Sequence, residues 1–265
     1  MDLGLANARV LVTGGASNIG RGIVHGFAAE GARIVIADVD EAQAAKVRAE
    51  AVERGAAETE LALGDLTADG AGGRAVDPLL ERWGGIDVLV NNAGWSVPGF
   101  IAADTDRAKW QKTVEINFFS AIACTQAAIP PMREAGAGSI VFIASDAAFG
   151  QIRQGIYGAT KAALIAVART TAKEHGRHGI RSNVICPGLV LPDGPGAVGA
   201  ASLWAAGQDA VFNEQQIEYL TKDIPLRRLT DAADIANAVT WISSARAARQ
   251  VTGQVISVSG GYTMP

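Results

Sequence analysis

Short apolar runs recur along the chain, each followed by a longer stretch with helical spacing. Arg9–Val12 leads through a glycine turn into a helix ending near Glu30, and Arg33–Ala37 into a helix at about Glu41–Arg54. Glu60–Leu63, Ile86–Val90, Ser139–Ile143, Ile180–Ile185 and Gln254–Val258 are five more strand-like runs. Helical stretches are expected between them at about Ala71–Trp83, Arg107–Glu134, Tyr157–His178 and Asp231–Ser243. The strand runs are apolar at nearly every position, as in strands covered on both faces. Alternation of such strands with helices predicts parallel strands joined by right-handed crossovers. The expected fold is α/β: a single Rossmann-type doubly wound parallel sheet of about seven strands, with helices on both faces. No repeat or linker divides residues 1–265, which are read as one domain.

One stretch breaks the rhythm. Leu191–Asp223 opens with prolines and glycines and then carries Trp204, Phe212 and Tyr219. A long irregular insert in a compact domain predicts a mobile lid.

Composition narrows the partners. The chain is 49% hydrophobic and 19% charged, so it can bury a core and is not a disordered segment. Its net charge is −4 with no long run of one sign, which argues against nucleic acid as a partner. Met1–Arg9 has no signal-peptide pattern, and no apolar run is long enough to span a bilayer. A cytoplasmic protein without a membrane partner is expected. Cys124 and Cys186 make no disulfide framework and are read as reduced thiols. His175 and His178 lack companion ligands and are read as solvated helix-end residues, so no metal is expected.

The candidate chemistry begins at the first turn. Thr13-Gly14-Gly15-Ala16-Ser17-Asn18-Ile19-Gly20 lies between a strand and a helix. Glycines there let the backbone approach a pyrophosphate, and the helix N-terminus offers free N–H groups to it. Asp38 ends the second strand, 18 residues after Gly20. A carboxylate at that point can accept both ribose hydroxyls of an adenosine and repels a 2′-phosphate, which points to NAD.

With these residues the chain resembles the short-chain dehydrogenase/reductase family, from Arg9 to about Tyr262. Thr13, Gly14 and Gly20 match the family's Thr-Gly-x-x-x-Gly-x-Gly pattern. Asn18 replaces the middle glycine, and Asn tolerates the positive φ that the turn needs. The resemblance implies that Ser17, Asn18 and Ile19 join the cofactor site, with Asp65 and Leu66 against adenine. It adds Asn91, Asn92, Ala93 and Gly94 after the fourth strand, and Pro187, Gly188 and Val190 beside the nicotinamide. The family often has a Thr five residues after that proline; here Pro192 stands there.

The resemblance further implies a catalytic tetrad of Asn117, Ser145, Tyr157 and Lys161, with Tyr157 and Lys161 also touching cofactor. Tyr157 and Lys161 are spaced to share one helix face. Ser145 lies 12 residues before Tyr157, one fewer than is usual in the family, and the missing residue should reshape the pocket. Hydride leaves an alcohol carbon only as the hydroxyl proton leaves. Tyr157 can take that proton as a phenolate, favoured by the Lys161 ammonium and a positive nicotinamide. Ser145 would hold the substrate oxygen, and Asn117 would fix a water that carries the proton out.

Trp95, Phe149, Trp204 and Phe212 are the candidate substrate-pocket residues. A bulky aromatic wall suits a hydrophobic, cyclic secondary alcohol or its ketone. Short segments such as Asn91–Trp95 and Thr252–Gly261 are also similar to dehydrogenases of alicyclic-ring degradation, of the 2-hydroxycyclohexanecarboxyl-CoA dehydrogenase kind. Two alternatives stand beside this reading. One is an NADPH-dependent 3-oxoacyl-type reductase, which would want a basic residue near Ser17, Asn18 or Val39. The other is a catalytically silent NAD-sensing regulator, which should have lost Tyr157 or Lys161. The family's habit of assembly implies a homotetramer, with small residues at Ala159, Ala162, Ala163, Ala166 and Ala168 letting another helix approach.

Overall fold

The computed structural model describes residues 2–194, 196–200, 202, 204–205 and 213–265. Its strands are β1 (Arg9–Thr13), β2 (Arg33–Asp38), β3 (Glu58–Leu63), β4 (Val88–Asn91), β5 (Gly138–Ile143), β6 (Ile180–Pro187) and β7 (Val255–Val258). All pair in parallel, in the order β3-β2-β1-β4-β5-β6-β7. The doubly wound sheet expected from the apolar runs is therefore present.

The two-residue period of the strands divides the core. Val10, Val12, Ile34, Ile36, Val141 and Ile143 pack on one face, against α1 (Asn18–Ala29), α2 (Glu41–Glu53) and α8 (Ala232–Ser243). Leu11, Val35, Leu89, Ile140, Phe142 and Val184 pack on the other, against α3 (Ala71–Trp83), α5 (Ser120–Ala135) and α6 (Gly155–His175). Strand order reverses between β1 and β4, and a crevice opens beyond the carboxyl ends of strands at such a switch point.

Three elements depart from expectation. The fourth strand starts at Val88 rather than Ile86. Asp87 before it accepts from the Arg9 N–H at 2.8 Å and pairs with the Arg9 guanidinium. The long helix from Arg107 runs unbroken to Ala135 but is not α-helical throughout. It divides into α4 (Arg107–Val114), a π-turn at Glu115–Phe119 and α5. In that turn the Ser120 N–H donates to the Glu115 carbonyl, and the Ile116 carbonyl takes the Ser120 hydroxyl at 2.5 Å instead. Finally, the expected irregular insert contains α7 (Glu214–Asp223), started by a capping box between Asn213 and Gln216. Asn213 three residues before Gln216 is a start signal in the sequence itself.

Candidate active site

The crevice at the strand ends is a cleft of about 360 Å³. At one end it is built by the glycine turn between β1 and α1. Gly14 has φ +59° and Asn18 φ +41°, so Asn does serve where the family places glycine. A Cβ on Gly20 would lie 1.9 Å from the Gly14 carbonyl oxygen, so no other residue fits there. Asn92 ties the floor together: its Nδ2 donates to the Thr13 and Gly14 carbonyls at 2.9 and 3.0 Å.

The turn suits an anion. Ser17, the N-cap of α1, makes no side-chain cap bond. Among the described residues the Ile19 and Gly20 N–H groups have no protein acceptor. Two free N–H groups at a helix start, with room in front of them, fit a phosphate. Asp38 lines the same cleft. Its Oδ2 accepts from the Ala16 N–H at 3.0 Å and its Oδ1 from the Val39 and Asp40 N–H groups at 2.8 and 3.1 Å. Backbone donors thus fix this carboxylate at the rim, with Val39, Asp40 and Gln43 beside it and no cation among these neighbours. Asp65 and Leu66 lie farther along, with Asp65 held by Thr67.

At the other end, Ser145, Tyr157 and Lys161 line the cleft together with Ala93, Gly94, Trp95, Pro187 and Gly188. Lys161 is buried, and its Nζ donates to the Ile143 carbonyl at 2.8 Å. It stands 5.6 Å from the centroid of the Tyr157 ring. Burial brings its pKa down to about 8, so the ammonium form still prevails at neutral pH. Burial also pushes the Tyr157 phenol above its ordinary value, against the opposing effect of the Ser145 hydroxyl. The lowered phenol is expected from the Lys161 ammonium and a positive nicotinamide together, and the protein by itself supplies only the first. Ser145 Oγ also accepts from the Ala147 N–H at 3.1 Å, which starts a 3-10 turn over Asp146–Phe149.

Other expected residues sit elsewhere. Asn117 lies in the π-turn, behind the cleft wall. Its Oδ1 accepts from the Trp95 N–H at 2.7 Å, and its Nδ2 donates to the Trp95 carbonyl at 2.9 Å and to Thr160 Oγ1 at 3.1 Å. Its side-chain amide thus shapes the loop that carries Trp95. Asn91 is buried under the floor, donating to Thr125. Val190 is buried and reaches the turn through its carbonyl, which accepts from Asn18 Nδ2 at 3.2 Å. Trp95 and Trp204 line the cleft, while Phe149 is 44% exposed and does not. Phe212 lies outside the described residues.

The expected lid meets the cofactor end, not only the substrate end, and sequence reasoning missed this. The Asn18 N–H donates to the Ala197 carbonyl at 2.9 Å. The Gly196 carbonyl accepts from Gln43 Nε2 at 3.0 Å and Lys46 Nζ at 2.7 Å, and the Ala200 N–H donates to Asp40 Oδ2 at 3.0 Å. Residues 196–200 thus strap the glycine turn to the start of α2.

A family profile described as enoyl-(acyl carrier protein) reductase matches residues 14–263. An uncharacterized short-chain type dehydrogenase/reductase from Sinorhizobium fredii is 36% identical, over 97% of this chain and 98% of its own. The (2S)-[(R)-hydroxy(phenyl)methyl]succinyl-CoA dehydrogenase subunit of Thauera aromatica is 34% identical, over 99% of each chain. A solved 7α-hydroxysteroid dehydrogenase, in complex with NADH and 7-oxo glycochenodeoxycholic acid, superposes with a TM-score of 0.87 at 31% identity, covering 98% of this chain and 96% of that one. Matched along nearly its whole length, the chain belongs to the short-chain dehydrogenase/reductase family and is an oxidoreductase.

Proposed function

We propose that the protein is an NAD-dependent dehydrogenase that interconverts a hydrophobic, cyclic secondary alcohol and its ketone. The observation that carries this reading is one cleft with Ser145, Tyr157 and Lys161 at one end and a backbone-anchored Asp38 at the other. The NADH in the steroid dehydrogenase complex supports a nicotinamide cofactor. The Ile19 and Gly20 N–H groups would hold its pyrophosphate and Asp38 its adenosine ribose. When bound in oxidised form, the cofactor supplies the hydride acceptor and a positive charge.

The chain's own residues do the rest. Ser145 donates to the substrate oxygen and orients it toward the phenol. Tyr157 takes the hydroxyl proton as the alcohol is oxidised, and returns it in the reverse direction. Burial makes the phenolate costly, so Tyr157 works as a base only with positive charge beside it; Lys161 is the protein's share of that charge. Asn117 acts through the Trp95 backbone, as a positioning residue. Trp95, Trp204 and Ile116 give the cleft apolar surface, which favours a ring over a polyol. The steroid and phenyl-bearing substrates named for two relatives support the same direction.

A second reading is an NADPH-dependent 3-oxoacyl-type reductase; the family profile's description, an acyl carrier protein reductase, favours its acyl substrate. Asp38 separates the two. Initial rates with NAD and NADP across cyclic and linear secondary alcohols should show NAD preferred by roughly a hundredfold, and Asp38→Ser should narrow that ratio. Equal efficiency with both cofactors would refute the NAD assignment. Tight NADH binding without turnover of any alcohol or ketone would point to a sensor instead.

A further inference from the structure

Asp146 is not used by this chemistry and does not line the cleft, yet it directly follows Ser145. It is 2% exposed. Its Oδ1 lies 3.4 Å from Ser257 Oγ on β7, and its Oδ2 has no partner of good hydrogen-bond geometry. The groups that act on it are the hydroxyls of Ser257, Ser259 and Thr263, with no cation among them. Those hydroxyls form a chain. Ser257 Oγ and Ser259 Oγ are 2.8 Å apart, and Ser259 Oγ accepts from the Thr263 N–H at 3.2 Å and faces its carbonyl at 3.3 Å. One buried carboxyl therefore joins the active-site loop, β7 and the C-terminal segment.

We propose that Asp146 is a positioning residue for Ser145, acting as a proton-dependent latch between the active-site loop and the segment Ser257–Thr263. As a carboxylate it only accepts, so the Ser257 hydroxyl can donate to it and hold the loop. As a carboxylic acid it carries a donor, and the hydroxyl chain must rearrange around it. Ser145 shares a peptide bond with Asp146, and its Oγ caps the turn that Asp146 begins, so loosening the carboxyl shifts the Ser145 hydroxyl. Burial, with no cation among the groups that act on it, raises the carboxyl to about 6, which puts the change within the working range of an enzyme. The titratable neighbours lie on the cleft side. Cys186 on β6 feels the charge of both Asp146 and Lys161 but stays a neutral thiol, pushed up to about 12 by burial, while β7 and the C-terminal segment offer the hydroxyls just named.

The proposal rests on Ser145 binding the substrate oxygen, so two readouts are needed. The first is the pH profile of kcat and KM for alcohol oxidation from about pH 5 to about pH 8, alongside NADH affinity by fluorescence. The native enzyme should lose kcat on the acid side with a midpoint near 6. Asp146→Asn should lack that limb, with kcat down roughly threefold to tenfold and NADH affinity unchanged. Ser257→Ala, which removes a donor to the carboxylate, should move the limb to higher pH. An acid limb that survives unchanged in both variants overturns the latch. The second readout needs no turnover: hydrogen exchange at the Thr263 amide should slow as pH rises through the midpoint, after correction for intrinsic rates, and lose that dependence in Asp146→Asn. Absent turnover with this exchange pattern present indicts the proposed reaction and leaves the latch standing. Exchange that is the same in both proteins overturns it.

Discussion

Asp146→Asn should make the protein more stable at neutral pH, against the usual expectation for a lost carboxylate. The folded protein holds this carboxyl at about 6, against an ordinary value of 3.8, a rise of about 2 pH units. At about 1.4 kcal/mol per unit, that amounts to about 3 kcal/mol. The sign follows from which state holds the proton. Between about pH 4 and pH 6 the native chain keeps a proton that the unfolded chain has released, so this group's contribution falls as pH rises through that window. It is most favourable below the unfolded value and fully lost above 6. Asparagine has the same shape, leaves no cavity and does not titrate. Carboxylates held low by ion pairs, such as Glu50 with Arg21 and Asp234 with Arg228, slope the other way in both proteins and cancel in the difference. Urea unfolding followed by tryptophan fluorescence at matched ionic strength, from about pH 4 to about pH 8, gives that difference directly. The variant's advantage should grow by about 3 kcal/mol across the range, close to 6 °C in Tm for a chain of this size. Parallel stability curves would show that the carboxyl is not buried as an acid, and would remove the physical basis of the latch.

Tyr157→Phe should leave NADH binding intact and cut kcat by about a hundredfold or more, because it removes the proton acceptor and little packing. Residual activity above about a tenth of normal, measured by NADH absorbance, would require another base. Joint replacement of Gln43 and Lys46 by Ala removes both side-chain bonds to the Gly196 carbonyl. It should speed NADH release by roughly threefold to tenfold, as expected for about 1 kcal/mol of exposed hydrogen bonding; an unchanged rate by stopped-flow fluorescence would mean that the strap does not retain cofactor. Ala159 and Ala166 are exposed on one face of α6, and Phe119 is exposed in the π-turn. A homotetramer is expected to cover such surfaces, and a monomer mass by light scattering at micromolar concentration would refute it.

The parts of this molecule that are legible in its sequence are those written in local pattern. Fully buried strands leave continuous apolar runs, and Val10, Leu11 and Val12 are enough to declare a strand covered on both faces. The glycine turn is legible because backbone with positive φ admits few residues, and Asn18 is one of them. Contacts made across the chain leave no such trace. The Gly196 carbonyl meets Lys46 at a separation of 150 residues, and only the folded sheet brings them together. The π-turn at Asn117 changes one round of hydrogen bonds without altering the spacing of apolar side chains. Its sequence therefore reads as ordinary helix, and nothing in it announces that the Asn117 amide bonds to Trp95. Asp146 is the instructive case between these extremes. In the sequence it is one more polar residue beside Ser145. Yet adjacent residues leaving a strand point to opposite sides, and that period of two is present in the sequence. If Ser145 faces the cleft, Asp146 must face the interior. A carboxyl turned inward needs either a cation or a proton, and the residues that surround it here, Ser257, Ser259 and Thr263, supply only hydroxyls. Its unusual titration thus follows from strand geometry plus the absence of a basic partner among those neighbours.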